Sequence, residues 1–294
     1  MALRKKSVLF HQGAGGNVKV GLFCYSNSTN VGDFIQTLAV AQHLDQEYHL
    51  VDRDFMNQYD GEPMAVVMNG WFTDEPDNWP PSPSIIPVFL GFHISRESAA
   101  IIREHKEYFK RYAPIGCRDH MTAEYMRECS IDAYVSGCAT MTFPRRAADL
   151  AADKVVLVDE PLRNFLRSER RDFVFISHEL EPYMSQPLRF QAASELLDFY
   201  RENAGLIITR RIHCAMPCAA MGIPVVFSGM KDGRTRIVDI LGLHCKQAKR
   251  YPRSRLADFP REVVEFEEKK RQINEDLHAR LVALGVKVKV PAWQ

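Results

Sequence analysis

The stretch "ITRRIHCAMPCAAMGIPVVF" (residues 208–227) sets Arg210, Arg211 and His213 between an apolar run and a run of small residues. An arginine fork grips carboxylate or phosphate with two parallel hydrogen bonds, which lysine cannot imitate. A histidine beside it can move a proton near neutral pH. Three such side chains where a strand hands over to a helix are costly to place unless an anion meets them, and the helix N-terminus adds positive potential. The chemistry expected is capture of a small anion together with proton transfer.

Other positions after strands fit the same scheme. Asn27, Asn30, Gly32 and Asp33 follow the run "VKVGLFCY" (18–25), with Gln36 one turn further on. Gly32 is free to take a positive φ, and the amides behind it can face an anion. Asn30 or Asp33 equally suits a helix cap. Asn69 and Trp71 of "NGWF" suit the hydroxyls and face of a sugar, although Trp71 also reads as a core lid. His93 ends the next apolar run and reads as structural or catalytic. Arg118 reads either as the partner of Asp119 or as a cation aimed into a cleft.

The elements that must hold these residues alternate. Apolar runs at 18–25, 65–72, 85–94, 114–119 and 132–143 are interleaved with helical spacing at 34–44, 98–112 and 121–129. The pattern restarts with strands at 154–160, 172–177, 204–211 and 223–229 and helices at 189–203, 213–222 and 234–243. A mixed-charge helix at about 261–284 closes the chain, with Val264, Ile273, Leu277, Leu281 and Leu284 as its packing stripe. Such alternation predicts the α/β class with parallel sheets. The restart divides the chain into 1–145 and 146–294. Ligands of open α/β sheets bind beyond the strands' carboxyl ends, so the cleft between the halves is the expected site.

Composition removes some classes. The 294 residues carry 38 basic and 37 acidic side chains, a formal charge of +1 that argues against a dedicated nucleic-acid binder. Neither a dinucleotide fingerprint nor a phosphate-binding P-loop is present. The seven cysteines are scattered; Cys214 and Cys218 beside His213 make too few ligands for a zinc site, and no metal is expected. Without an apolar h-region near the start or a long apolar run, the expected location is the cytoplasm.

In the order and spacing of several motifs, the chain resembles the polysaccharide pyruvyl transferase family. The matching segments are "NVGDFIQTLAVAQHL" (30–44), "NGWF" (69–72), "PVFLGFHI" (87–94), "CRDHMTAEYM" (117–126), "DAYVSGCATMTF" (132–143), "LIITRRIHCAMPCAAMGIPVV" (206–226) and "GRTRIVDILGL" (233–243). Most specific is the Arg-x-His of Arg211-Ile212-His213. The resemblance implies two Rossmann-like domains facing a cleft, as in glycosyltransferase-B folds, with the acceptor on the first and phosphoenolpyruvate on the second. It implies transfer of pyruvate from phosphoenolpyruvate to two hydroxyls of a sugar of a polysaccharide or its lipid-linked precursor, giving a ketal and phosphate without a cofactor. By position, His213 and Arg211 are the catalytic residues. Arg118, Asn30 and Asp33 bind the donor. By residue type and place alone, Arg210 joins the donor side and Asn69, Trp71 and His93 the acceptor side. Cys214 stands where many members have glycine, and Gly137-Cys138 where many have Gly-Asp, which leaves the general base unassigned. The membrane would enter only at its edge, through the acceptor. Two rival readings are a nucleotide-sugar glycosyltransferase of the same architecture and a non-catalytic sugar- or anion-binding relative.

Overall fold

The computed structural model describes residues 18–72, 75–147, 150, 152–160, 173–229, 235, 237–240, 244–245, 259 and 261–289. The first half runs β1 (Lys19–Cys24), α1 (Val31–Ala41), β2 (His49–Asp52), β3 (Met64–Val67), β4 (Gly70–Trp71), β5 (Ile85–Val88), β6 (Phe92–His93), α2 (Ala100–Glu104), α3 (Lys106–Arg111), β7 (Ile115–Cys117), α4 (His120–Glu128) and β8 (Ala133–Val135). The second runs β9 (Lys154–Val158), β10 (Phe173–Ile176), α5 (Gln186–Asn203), β11 (Ala204–Thr209), α6 (Ile212–Ala220), β12 (Val225–Phe227), α7 (Ile237–Ile240), β13 (His244–Cys245) and α8 (Glu267–Ala283). Of the helix expected at 234–243, only Thr235 and α7 belong to the described residues.

Three sheets form, ordered β2-β1-β3-β5, β4-β6-β7-β8 and β10-β9-β11-β12-β13, and every ladder is parallel. The protein is thus of the α/β class. Met68 and Asn69 interrupt one strand into β3 and β4, and Phe89–Gly91 interrupt the next into β5 and β6. Rejoined, they place the second strand of each half at the sheet edge, beside the first, with the third on the far side. The crevice beyond the first and third strands is where such sheets take ligands. Strands such as β3, buried along all four residues, read as unbroken apolar runs because helices cover both faces.

The helix expected at 98–112 is split at His105 (φ −103°, ψ 30°). The break lets α2 bury Ile101 and Ile102 while α3 turns Phe109 onto Trp79, Phe89 and Phe92. Strand β2, absent from the sequence reading, is an edge strand with only Val51 well buried.

Two helices tie the halves together. α1 buries Val31, Phe34, Ile35, Ala39 and Val40, and Phe34 packs edge-on to Tyr25 at 5.4 Å and to Phe190 of α5 at 5.1 Å. α8 begins at Glu267, six residues later than the sequence suggests, and buries Ile273, Leu277 and Leu281. The division at 145 groups it with the second half, but it packs on both. Its Lys270 Nζ donates to the Ala220 carbonyl at the end of α6 (2.8 Å). Its Arg280 donates to the Tyr134 hydroxyl (2.9 Å), and His278 meets His43 at 3.0 Å. One buried core extends across both halves.

Candidate active site

The carboxyl ends of the sheets open onto one cavity of about 570 Å³. The β1–α1 loop lends Asn27, Ser28, Thr29 and Asn30 and the first turn of α1 Asp33; Arg53 and Asp54 follow β2; Trp71 ends β4, Glu75 lies beyond it, and Arg118 follows β7. The second half contributes His178 after β10, then Arg210, Arg211, Ile212 and His213 where β11 passes into α6, and Thr235. Of the residues expected from sequence, Asn30, Asp33, Trp71, Arg118, Arg210, Arg211 and His213 come together here.

Local chemistry explains the placement. Asn30, not Asp33, caps α1: its Oδ1 accepts from Gly32 N at 3.1 Å. Asp33 lies in the first turn, accepting from Ser28 Oγ (2.5 Å) and Gln36 Nε2 (3.1 Å). Gly32 keeps ordinary helical geometry rather than a positive φ. Its necessity is spatial, because a Cβ there would stand 2.9 Å from His213 Cβ. The start of α1 therefore abuts the start of α6, and two helix N-termini border the cavity. Hydrogen bonds also tie the start of α1 and the loop before it to the segment after β10 and to α5: Val31 N donates to His178 O (2.9 Å) and Leu180 N to Thr29 O (2.7 Å), while Arg189 Nη1 reaches Ser28 O (2.6 Å).

The cations differ in setting. Arg118 is buried, with Nε 3.6 Å from Asp119 Oδ2. Arg211 is 36% exposed; its Nε donates to Asp159 at 2.6 Å, and Nη2 lies 3.7 Å from Glu179. Arg210 is exposed. Arg53 is buried, forks onto Asp54 (2.7 and 3.0 Å) and lies over the Tyr25 ring. His213 is 8% exposed, and its Nε2 finds no hydrogen-bond partner among the described residues. Burial pushes its pKa well below the ordinary value, and the charge of Arg118 and the nearby His178 and His93 push the same way, which favours the neutral ring.

Asn69 and His93 do not line the cavity, so the acceptor contacts expected of them do not follow from their placement. Asn69 is buried; its Oδ1 accepts from Ala139 N (3.0 Å) and fills the space a Cβ at Gly91 (φ 74°) would need. His93 is fully buried, with Nδ1 2.7 Å from Asp119 Oδ2 and 3.1 Å from Thr122 Oγ1. Burial alone would raise the Asp119 carboxyl, but His93, Arg118 and the Thr122 amide hold it at about 2. Asp119 also caps α4 through Thr122 N (3.0 Å). His93 thus stands behind Arg118, where an isolated strand ending cannot reveal which way a side chain turns.

The sequence reading passes over Arg53, Asp54, His178 and Asp159. The first two follow the edge strand it lacks. His178 and Asp159 close strands that it contains, so the rule that picked out Arg211 applied to them as well. Among the described residues, no group of three His, Cys, Asp or Glu side chains is placed to hold a metal ion, and no helix is long and apolar enough to cross a membrane.

The arrangement defines a class: a parallel α/β protein whose sheets present arginines, buried imidazoles and helix N-termini to one cavity that also carries carboxylates. The chain matches the family described as polysaccharide pyruvyl transferase over residues 30–231, and it belongs to that family. That span contains every cavity residue except Asn27, Ser28, Thr29 and Thr235. No curated protein matches the chain. Among solved structures it is similar to a functionally uncharacterised protein from Klebsiella pneumoniae subsp. pneumoniae. Identity is 14%, with 75% of this chain and 86% of that chain covered, at a TM-score of 0.48.

Proposed function

We propose that the protein transfers the pyruvyl group of phosphoenolpyruvate to two hydroxyls of a saccharide, forming a cyclic ketal and releasing phosphate. The observation that carries this reading is His213, buried with an unpartnered Nε2 on a cavity that also holds Arg118, Arg210 and Arg211. A donor with a carboxylate and a phosphate calls for several cations in a protein of almost no net charge. The arginines and the starts of α1 and α6 meet that demand. The two-domain arrangement facing a cleft is part of the proposal; the meeting of the sheets' carboxyl ends at one cavity supports it.

Donor binding offsets the positive surroundings of His213, so its ring takes up a proton as phosphoenolpyruvate enters. Protonated His213 then delivers that proton to the methylene carbon, leaving C2 electrophilic. One saccharide hydroxyl attacks C2 and passes its proton to the now neutral His213. The C2–O bond to phosphate breaks, the phosphate taking that proton while Arg118 and Arg211 stabilise the departing anion, and the second hydroxyl closes the ring and returns a proton to His213. Trp71, half-buried at the cavity wall, offers a face to the sugar, and the carboxylates of Asp33 and Asp54 stand on the same side to receive hydroxyls. Asn69 and His93 act from behind, shaping the loops under Arg118.

The test is incubation with phosphoenolpyruvate labelled at C2 and a panel of saccharides. Phosphate release that depends on an acceptor, with label appearing as a ketal on it, is expected. Turnover of a nucleotide sugar in its place, or saccharide binding without turnover across the panel, would overturn the reading.

A further inference from the structure

Asp159 follows β9 directly, beside the end of β11, where Val158 and Thr209 are in register. Its φ is 52°, a left-handed backbone that non-glycine residues adopt at a cost; the other described instance, Ser130, sits in the turn after α4. The turn is accompanied by bonds to the side chain, one of them from Ser177. The carboxylate accepts from Arg211 Nε at 2.6 Å and from the backbone amide of His178 at 3.2 Å. One side chain thus joins the guanidinium to the segment that carries His178. Glu179, the other acid near Arg211, is 57% exposed and at 3.7 Å too far for a hydrogen bond.

We propose that Asp159 is the positioning residue for Arg211: by taking the Nε edge it turns the two terminal nitrogens toward the cavity, and so sets the affinity for the anionic donor. The claim rests on the donor reading above but reaches a residue that touches no substrate. A guanidinium held through Nε keeps both Nη groups for an anion, whereas an untethered one must be ordered at the moment of binding. Holding Asp159 in its costly backbone conformation buys that order in advance.

Two measurements separate this claim from the donor reading. The first needs no donor. The Arg211 Nε–H proton should give a slowly exchanging resonance in the native protein, assigned through its loss in Arg211→Lys, and Asp159→Asn should abolish its protection. An unchanged resonance overturns the proposal. The second is calorimetric titration with phosphoenolpyruvate and, separately, inorganic phosphate. Asp159→Asn should weaken phosphoenolpyruvate about tenfold, the lower end of what losing a ligand's orienting partner costs. Asp159→Gly, which relieves the backbone strain, should weaken it equally without loss of melting temperature. In an Arg211→Ala background, Asp159→Asn should cost nothing further. Equal or tighter binding by the Asp159 variants, or losses that add fully to that of Arg211→Ala, overturns the proposal. If native protein binds neither probe, the donor reading is what fails, and the resonance alone decides the role of Asp159.

Discussion

At the scale of single residues, the proposed chemistry turns on His213, whose burial holds its pKa well below the ordinary value. His213→Gln should lower turnover by about 10²–10⁴-fold, the usual worth of a general acid, with the circular dichroism spectrum unchanged. Full activity in that variant would remove His213 from the chemistry. On the proposed mechanism donor binding draws a proton onto His213, which predicts that the native protein's affinity for phosphoenolpyruvate weakens as pH rises, more steeply than that of His213→Gln. The variant is the necessary reference, since the donor's own phosphate titrates as well. Gly32→Ala tests the seam between the helix starts. Its Cβ would sit 2.9 Å from His213 Cβ, so the starts of α1 and α6 must move apart and carry the imidazole with them. A loss of turnover exceeding the loss of stability is expected from paired kinetics and melting curves, because small misplacements at a reacting centre cost rate steeply.

Among the elements, α1 has the most to do: its first turn borders the cavity and its buried face holds the halves together. Phe34 lies wholly inside, between Tyr25 and Phe190. Phe34→Ala should cost about 3–5 kcal/mol, read from denaturant midpoints. A loss below 1 kcal/mol would mean that the packing of α1 on α5 contributes little. The stripe that makes α1 amphipathic was legible as apolar spacing at 34–44, and so were the buried parallel strands, which carry continuous apolar residues. Strand β2 was not, because an edge strand with two exposed residues of four lacks both an apolar run and clean alternation. Losing β2 also lost Arg53 and Asp54 from view.

For the whole molecule, α8 makes stability depend on acid. His43 Nδ1 meets His278 Nε2 at 3.0 Å, and His43 Nε2 meets Thr142 Oγ1 at 2.8 Å, with the charge of Lys289 also acting on the ring. Burial, then His278, then Lys289 push the His43 pKa down to about 3; burial also lowers His278. Below pH ~6.5 the unfolded chain therefore binds protons that the native state refuses, and stability falls as pH drops from there toward 3. At pH 5 the cost from His43 alone is about 2 kcal/mol. His43→Gln should flatten the acid limb of a plot of unfolding free energy against pH. Parallel curves for native and variant protein would show that this pair does not set the acid limit.

Residue type and local spacing were enough to give the α/β class, most strands, and the arginines and histidine at the end of β11. Each is a property of a short segment: an apolar run, a helical stripe, a strand end. Tertiary structure alone decided that Asn30 caps α1 while Asp33 faces inward, that His93 stands behind Arg118, and that Asp159 holds Arg211. It also carried α8 back across both halves. These depend on which way a side chain turns and on what segments distant in sequence bring against it, and hydrophobic periodicity carries no record of either.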